Sequence, residues 1–251
     1  MSIKKYIPNF VTLLNLLSGS IAVLFAVHNN FIAASAFVFL GIFFDFFDGL
    51  LARKLNVQSA LGVQLDSLAD MVTSGLVPGI VMYKLIALSI GAPEIVTQKE
   101  WSSNFSFSDL HIEPIAIIGL FITLASAYRL AKFNIDEDQQ TYFKGLPTPA
   151  NTLLILSLPL IIEFHNNNFA TSLILNEWFL IGLTIVSCYL LNSNIKLFAL
   201  KFNNFGFLDN KFRYALIVSS ILLMILFHFI AIPLIMILYI VLSVLKTTTS
   251  K

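Results

Sequence analysis

Residues 39–75 read FLGIFFDFFDGLLARKLNVQSALGVQLDSLADMVTSG. Two apolar runs flank a short polar stretch, and each run carries a pair of aspartates: Asp45 and Asp48 in the first, Asp66 and Asp70 in the second. Spacings of i,i+3 and i,i+4 put each pair on one face of a helix. An ionised carboxylate near hydrocarbon is costly, so acids in such runs usually face a polar cavity and act there. Arg53–Gln58 supplies a short turn, which makes the two helices antiparallel neighbours and brings the four carboxylates together near one end of the hairpin.

The rest of the chain shows what surrounds this hairpin. Of 251 residues, 57% are hydrophobic and only 12% charged, with a mean hydropathy of +0.85. A soluble domain would carry about twice that charged share. A membrane span needs about 20 mostly apolar residues, and that length divides the chain into eight expected spans, roughly 9–28, 31–52, 60–90, 113–133, 148–164, 170–192, 213–231 and 233–246. The predicted fold is therefore all-α, a polytopic transmembrane helix bundle in a single integral-membrane domain over 1–251. The lysines before the first run (MSIKKYIPNF) precede no small-residue cleavage site, so that run reads as a retained helix.

Basic residues orient the bundle. With the N-terminus inside, only Lys84 and Lys99 of the 15 lysines and arginines fall outside, and both termini are expected in the cytoplasm. A net charge of +1 gives no field to attract nucleic acid. All four histidines (His28, His111, His165 and His228) fall toward the outer side, in or beside a loop such as 91–112. Histidine chemistry is thus not expected beside the aspartates. The lone Cys188, inside an apolar run, reads as a small packing residue.

Clustered like charges need cations between them. Hard divalent ions with oxygen ligands suit carboxylates that have no sulfur or imidazole nearby, so the expected cofactor is Mg²⁺ or Mn²⁺. Two such ions would clamp a phosphoryl group. Gly49, Ala52 and Gly62 leave room for a nucleotide or pyrophosphate, and Arg53 can pair with a phosphate oxygen or with one of the aspartates. A divalent-cation transporter is the rival of a different class. Against it, the acids lie at one membrane face, whereas transporter sites lie near the midplane.

The pattern Asp45-x2-Asp48-Gly49-x2-Ala52-Arg53-x8-Gly62-x3-Asp66-x3-Asp70 resembles the signature of the CDP-alcohol phosphatidyltransferase family, with every fixed position filled. The resemblance implies a membrane-embedded helical core, here about 5–192 with extra helices at about 213–246, and a homodimer. It implies that Asp45, Asp48, Asp66 and Asp70 bind metal, and that Asp70 is the general base. It also implies that an alcohol attacks the lipid-side phosphorus of CDP-diacylglycerol and that CMP leaves.

Three further segments are similar to the bacterial branch of that family that uses L-serine: IPNFVTLLNLLSG from Ile7, SAYRLAKFN from Ser126, and YFKGLPTPA from Tyr142. This implies phosphatidylserine as product and a bacterial inner membrane as location. Lys132 stands where the branch commonly has Arg. Glycerol 3-phosphate or inositol phosphate are the alternative acceptors. Serine's carboxylate calls for a fixed cation, and Arg129, Lys132 and Lys144 are the candidates. Asn9, near the inner face, is the expected contact to the CDP-lipid, and interhelical hydrogen bonding is at least as ready a role for either Asn9 or Asn15. Gly75 and Gly79, in GxxxG spacing, are expected to pack helices.

Overall fold

The computed structural model describes residues 3–92, 113–135, 142–165, 168–198, 206 and 210–249. The expected loop 91–112 and the residues Lys99, His111 and Lys201 therefore lie wholly or mostly outside the described residues. The chain is a bundle of helices, as predicted: α1 (Tyr6–Val27), α2 (Phe31–Lys54), α3 (Ala60–Asp70), a π-helical turn (Met71–Leu76), α4 (Val77–Ser89) and α5 (Phe121–Ile135). There follow α6 (Thr148–Phe164), α7 (Asn168–Ile174), α8 (Glu177–Asn192), α9 (Lys211–Phe227) and α10 (Ala231–Thr249). Two three-residue strands, β1 (Tyr142–Lys144) and β2 (Lys196–Phe198), pair antiparallel with Phe143 opposite Leu197.

Eight spans are not confirmed. Among the described residues, five helical stretches are long and apolar enough to cross a membrane, or six if the α7–α8 pair, bent by 63°, counts as one. The difference has two sources. The expected fifth span, α6, has 17 residues and falls short, and the last two expected spans join in one stretch, Lys211–Thr247. That stretch is broken at His228, whose backbone turns to φ 47°. Beyond the break α10 packs back along α9, and Lys246 of α10 lies near Arg213 of α9.

Helix ends follow local chemistry. Asn30 and Ser59 accept hydrogen bonds from the backbone N–H groups of Ala33 and Gly62, both at 3.1 Å, and so cap α2 and α3. The hairpin turn between α2 and α3 bends at Asn56, φ 53°, a left-handed conformation that asparagine tolerates.

One stripe of α1 is buried: Pro8, Thr12, Asn15, Ser18, Gly19, Ala22 and Ala26. Small residues at helical spacing let helix backbones approach closely, and α1 packs along both α2 and α3. Gly75 and Gly79 do the same against α5, where added Cβ atoms would meet Ser126 and Thr123. The apolar core lies toward the end of the bundle remote from the aspartates. It is built from Ala22 and Ala26 of α1, Val38 of α2, Val81, Met82 and Ile86 of α4, and Ile155 and Leu156 of α6. Large apolar side chains such as Phe10, Phe46, Leu61 and Ile225 point outward, as lipid-facing residues of an integral membrane protein do.

The π-helical turn is a feature that hydropathy gives no sign of. It follows directly after Asp70. Pro78 has no N–H to offer the preceding turn, and the carbonyl of Ser74 instead takes a hydrogen bond from the Thr152 hydroxyl of α6 at 2.8 Å. Thr123 of α5 donates to the carbonyl of Gly75 at 3.1 Å. The irregular turn is thus held by two neighbouring helices.

Candidate active site

The α2–α3 hairpin converges its acids. One carboxylate oxygen from each of Asp45, Asp48 and Asp66 lies within 4.8 Å of the others. Asp48 is only 5% exposed, and its Oδ2 has no hydrogen-bond partner. An orphaned carboxylate oxygen among other acids could serve as a ligand atom, and a cluster of carboxylate oxygens suits a hard cation. Asp70 stands just outside this triplet, beside the carboxylate of Asp45. Among the described residues, the charged neighbours of Asp45, Asp66 and Asp70 are other aspartates. Arg53, one of the expected partners of these acids, is instead exposed on the wall of the adjoining cavity.

That cavity has a volume of about 560 Å³. Asp48 and Asp66 form part of its wall, and Asn9, Gly49, Ala52, Arg53 and Gly62 complete much of the rest. Every residue expected to meet the CDP-lipid is therefore brought to one place. Gly49 is open on this side: a Cβ there would meet nothing closer than Arg53 Nη2 at 4.0 Å. Asn9 Oδ1 would lie 3.4 Å from a Cβ at Gly62, so α1 and α3 close around the same space. Sequence reasoning assigned no role to Thr12, Gln58 or Ser59, which also line it. Thr12 lies one turn beyond Pro8, to whose carbonyl its hydroxyl donates at 3.1 Å.

The profile of the CDP-alcohol phosphatidyltransferase family matches residues 5–190. The chain belongs to that family. As a CDP-alcohol phosphatidyltransferase it is similar to a Bacillus subtilis protein named CDP-diacylglycerol–serine O-phosphatidyltransferase. The two are 33% identical over 155 residues, 61% of this chain and 76% of the relative. A Methanocaldococcus jannaschii protein of the same name is 30% identical over 188 residues, 74% of each chain. A Saccharomyces cerevisiae protein, again of that name, is 30% identical over 169 residues, 61% of this chain and 53% of the relative. Membership makes this phosphatidyltransferase a membrane enzyme of phospholipid synthesis. The acids, Gly49, Ala52, Arg53 and Gly62 all fall inside the matched region.

Arg129, Lys132 and Lys144 also come together, around a small hollow of about 10 Å³ that Asn192 and Ser193 help to line. Arg129 is 8% exposed, and its guanidinium donates to three main-chain carbonyls: Leu191 at 2.5 Å, Lys144 at 2.8 Å and Gly145 at 3.3 Å. Gly145 has φ 74°, and a Cβ there would lie 2.9 Å from Arg129 Nη1, so the turn wraps the guanidinium closely. Arg129 is thus a clamp joining α5, β1 and the end of α8. The sequence shows its charge and not this engagement. These carbonyl partners are neutral and so do not offset its positive charge. Lys132 is half-buried on the rim of the same hollow.

Proposed function

We propose that the protein transfers the phosphatidyl group of CDP-diacylglycerol to L-serine, giving phosphatidylserine and CMP. The observation that carries this reading is the convergence of Asp45, Asp48 and Asp66, with Asp70 beside them, next to a cavity of nucleotide size whose wall includes Asp48 and Asp66. The serine acceptor is supported by the names of the relatives and by the basic cluster of Arg129, Lys132 and Lys144.

Asp45, Asp48, Asp66 and Asp70 would hold two divalent ions, Mg²⁺ or Mn²⁺, which would neutralise charge on the pyrophosphate as it develops. Asn9, Gly49, Ala52, Arg53 and Gly62 hold the CDP group, with Arg53 facing a phosphate oxygen. Asp70 accepts the proton of the serine hydroxyl. The serine oxygen forms its bond to the lipid-side phosphorus as the bond from that phosphorus to the CMP oxygen breaks. A serine hydroxyl is a weak nucleophile, so it must be held close before it can react. Lys132, with Lys144 and the field of Arg129, fixes the carboxylate. The active site faces the cytoplasm of a bacterial inner membrane, with both termini on that side and the whole chain as one catalytic domain. A homodimer is part of the proposal on the family resemblance alone.

Purified protein given CDP-diacylglycerol and Mg²⁺ or Mn²⁺ is expected to release CMP with L-serine and not with glycerol 3-phosphate or inositol 1-phosphate. Lys132→Ala is expected to raise the KM for serine by about 10–100-fold, the range of a hydrogen bond to a charged group, with little change for CDP-diacylglycerol. CMP release driven by a phosphate-bearing acceptor and not by serine would overturn the acceptor while leaving the family standing. Serinamide serving as well as serine would remove the cations from acceptor recognition.

A further inference from the structure

Behind the carboxylate cluster lies a polar contact between α1 and the π-helical turn. Asn15 is completely buried and takes no part in the cavity wall. Its Nδ2 donates to Asp70 Oδ1 at 3.3 Å, and its Oδ1 accepts from the Thr73 hydroxyl at 2.8 Å. Thr73 is also completely buried and lies three residues after Asp70, so both face α1. The direction of the chain is set by chemistry. A carboxylate only accepts, so the amide nitrogen must face Asp70, and the amide oxygen is left for Thr73.

Close packing keeps this pair from shifting. A Cβ at Gly19 of α1 would lie 2.9 Å from Thr73 Cα. A Cβ at Gly41 of α2 would lie 2.7 Å from Thr73 Cγ2 and 2.9 Å from Asn15 Oδ1. Two glycines on two helices thus form a notch that admits the threonine and the amide and little else. The π turn, held by Thr152 and Thr123, presents Thr73 to that notch.

We infer that Asn15, oriented by Thr73, is a positioning residue for Asp70: it occupies one carboxylate oxygen and fixes the plane of the group, leaving the other oxygen toward the aspartate cluster. This rests on the reading of Asp70 as the base of the transfer. A base must be held within hydrogen-bond reach of the proton it takes, and partners behind a reactive group commonly control activity about 10–100-fold.

The test compares Asn15→Leu, Thr73→Val, Thr73→Ser and the Asn15→Leu/Thr73→Val double variant in the full-length protein. Three quantities are read: CMP release per folded molecule, CDP-diacylglycerol affinity in the presence of Mg²⁺, and thermal unfolding in detergent. Asn15→Leu and Thr73→Val are expected to lower kcat by about 10–100-fold with CDP-diacylglycerol affinity within about threefold. Thr73→Ser, which keeps the hydroxyl, should recover most of that loss. The double variant should be no slower than Asn15→Leu, because the two residues act in series. A normal kcat per folded molecule in Asn15→Leu, or Thr73→Ser as slow as Thr73→Val, would overturn the inference, even if stability fell. Asp70→Asn separates the two claims. If it is inactive while Asn15→Leu is normal, only the positioning role falls; if it turns over normally, the base assignment falls as well.

Discussion

Asp66→Asn is expected to reduce phosphatidyl transfer by about a thousandfold or more, with the protein still folded. Metal-held charge stabilisation is worth several kcal/mol, and each ~1.4 kcal/mol is a factor of ten in rate. The substitution keeps the side chain's size and removes the charge that a divalent ion requires. The same loss is expected for Asp45→Asn and Asp48→Asn, since the three carboxylates share one 4.8 Å neighbourhood. Stability should move the other way or not at all, because removing one of several unpaired acids relieves repulsion. CMP release and thermal unfolding, measured on the same preparations, check both halves. Near-normal turnover in any one of the three would remove that residue from the ligand set.

Asp70→Asn is expected to fail differently. Asp70 lies outside the compact triplet and is hydrogen-bonded from behind by Asn15. Loss of a general base costs about 10²–10⁴ in rate, and the cavity proposed to hold the CDP group does not include Asp70 in its wall. The variant should therefore still bind CDP-diacylglycerol at least in part while kcat collapses. Affinity measured by CDP-diacylglycerol-induced thermal shift, set beside single-turnover CMP release, distinguishes this from a binding defect. If affinity fell as steeply as kcat, Asp70 would belong with the metal-holding acids alone.

The hairpin was legible because charge in an apolar run is costly and its spacing reports helical faces directly. Asp45, Asp48 and Asp66 meet where i,i+3 spacing and a short turn require, and the residues expected around the CDP group share one cavity with Asp48 and Asp66. Less was legible where backbone irregularity decides the outcome. Hydropathy reads 60–90 as one uniform span, yet a π turn interrupts it after Asp70 and brings Thr73 to Asn15. The count of long apolar helices differs because α6 stops at 17 residues and because the two spans that hydropathy divides near residue 232 form one stretch, Lys211–Thr247, whose turn lies earlier, at His228. Arg129 shows another limit. Its charge and its side of the membrane were apparent, but its bonds to the carbonyls of Lys144, Gly145 and Leu191 join segments far apart in sequence. The three-residue β1–β2 ladder beside it is too short to leave any periodicity.

Under the proposed function, four aspartates hold divalent ions for transfer from CDP-diacylglycerol. This is checked by CMP release from protein stripped with a chelator and then titrated with Mg²⁺ or Mn²⁺ in the presence of serine. The stripped protein should release no CMP, and added metal should restore turnover in the native chain but not in Asp66→Asn. Full turnover by the stripped protein would contradict the claim.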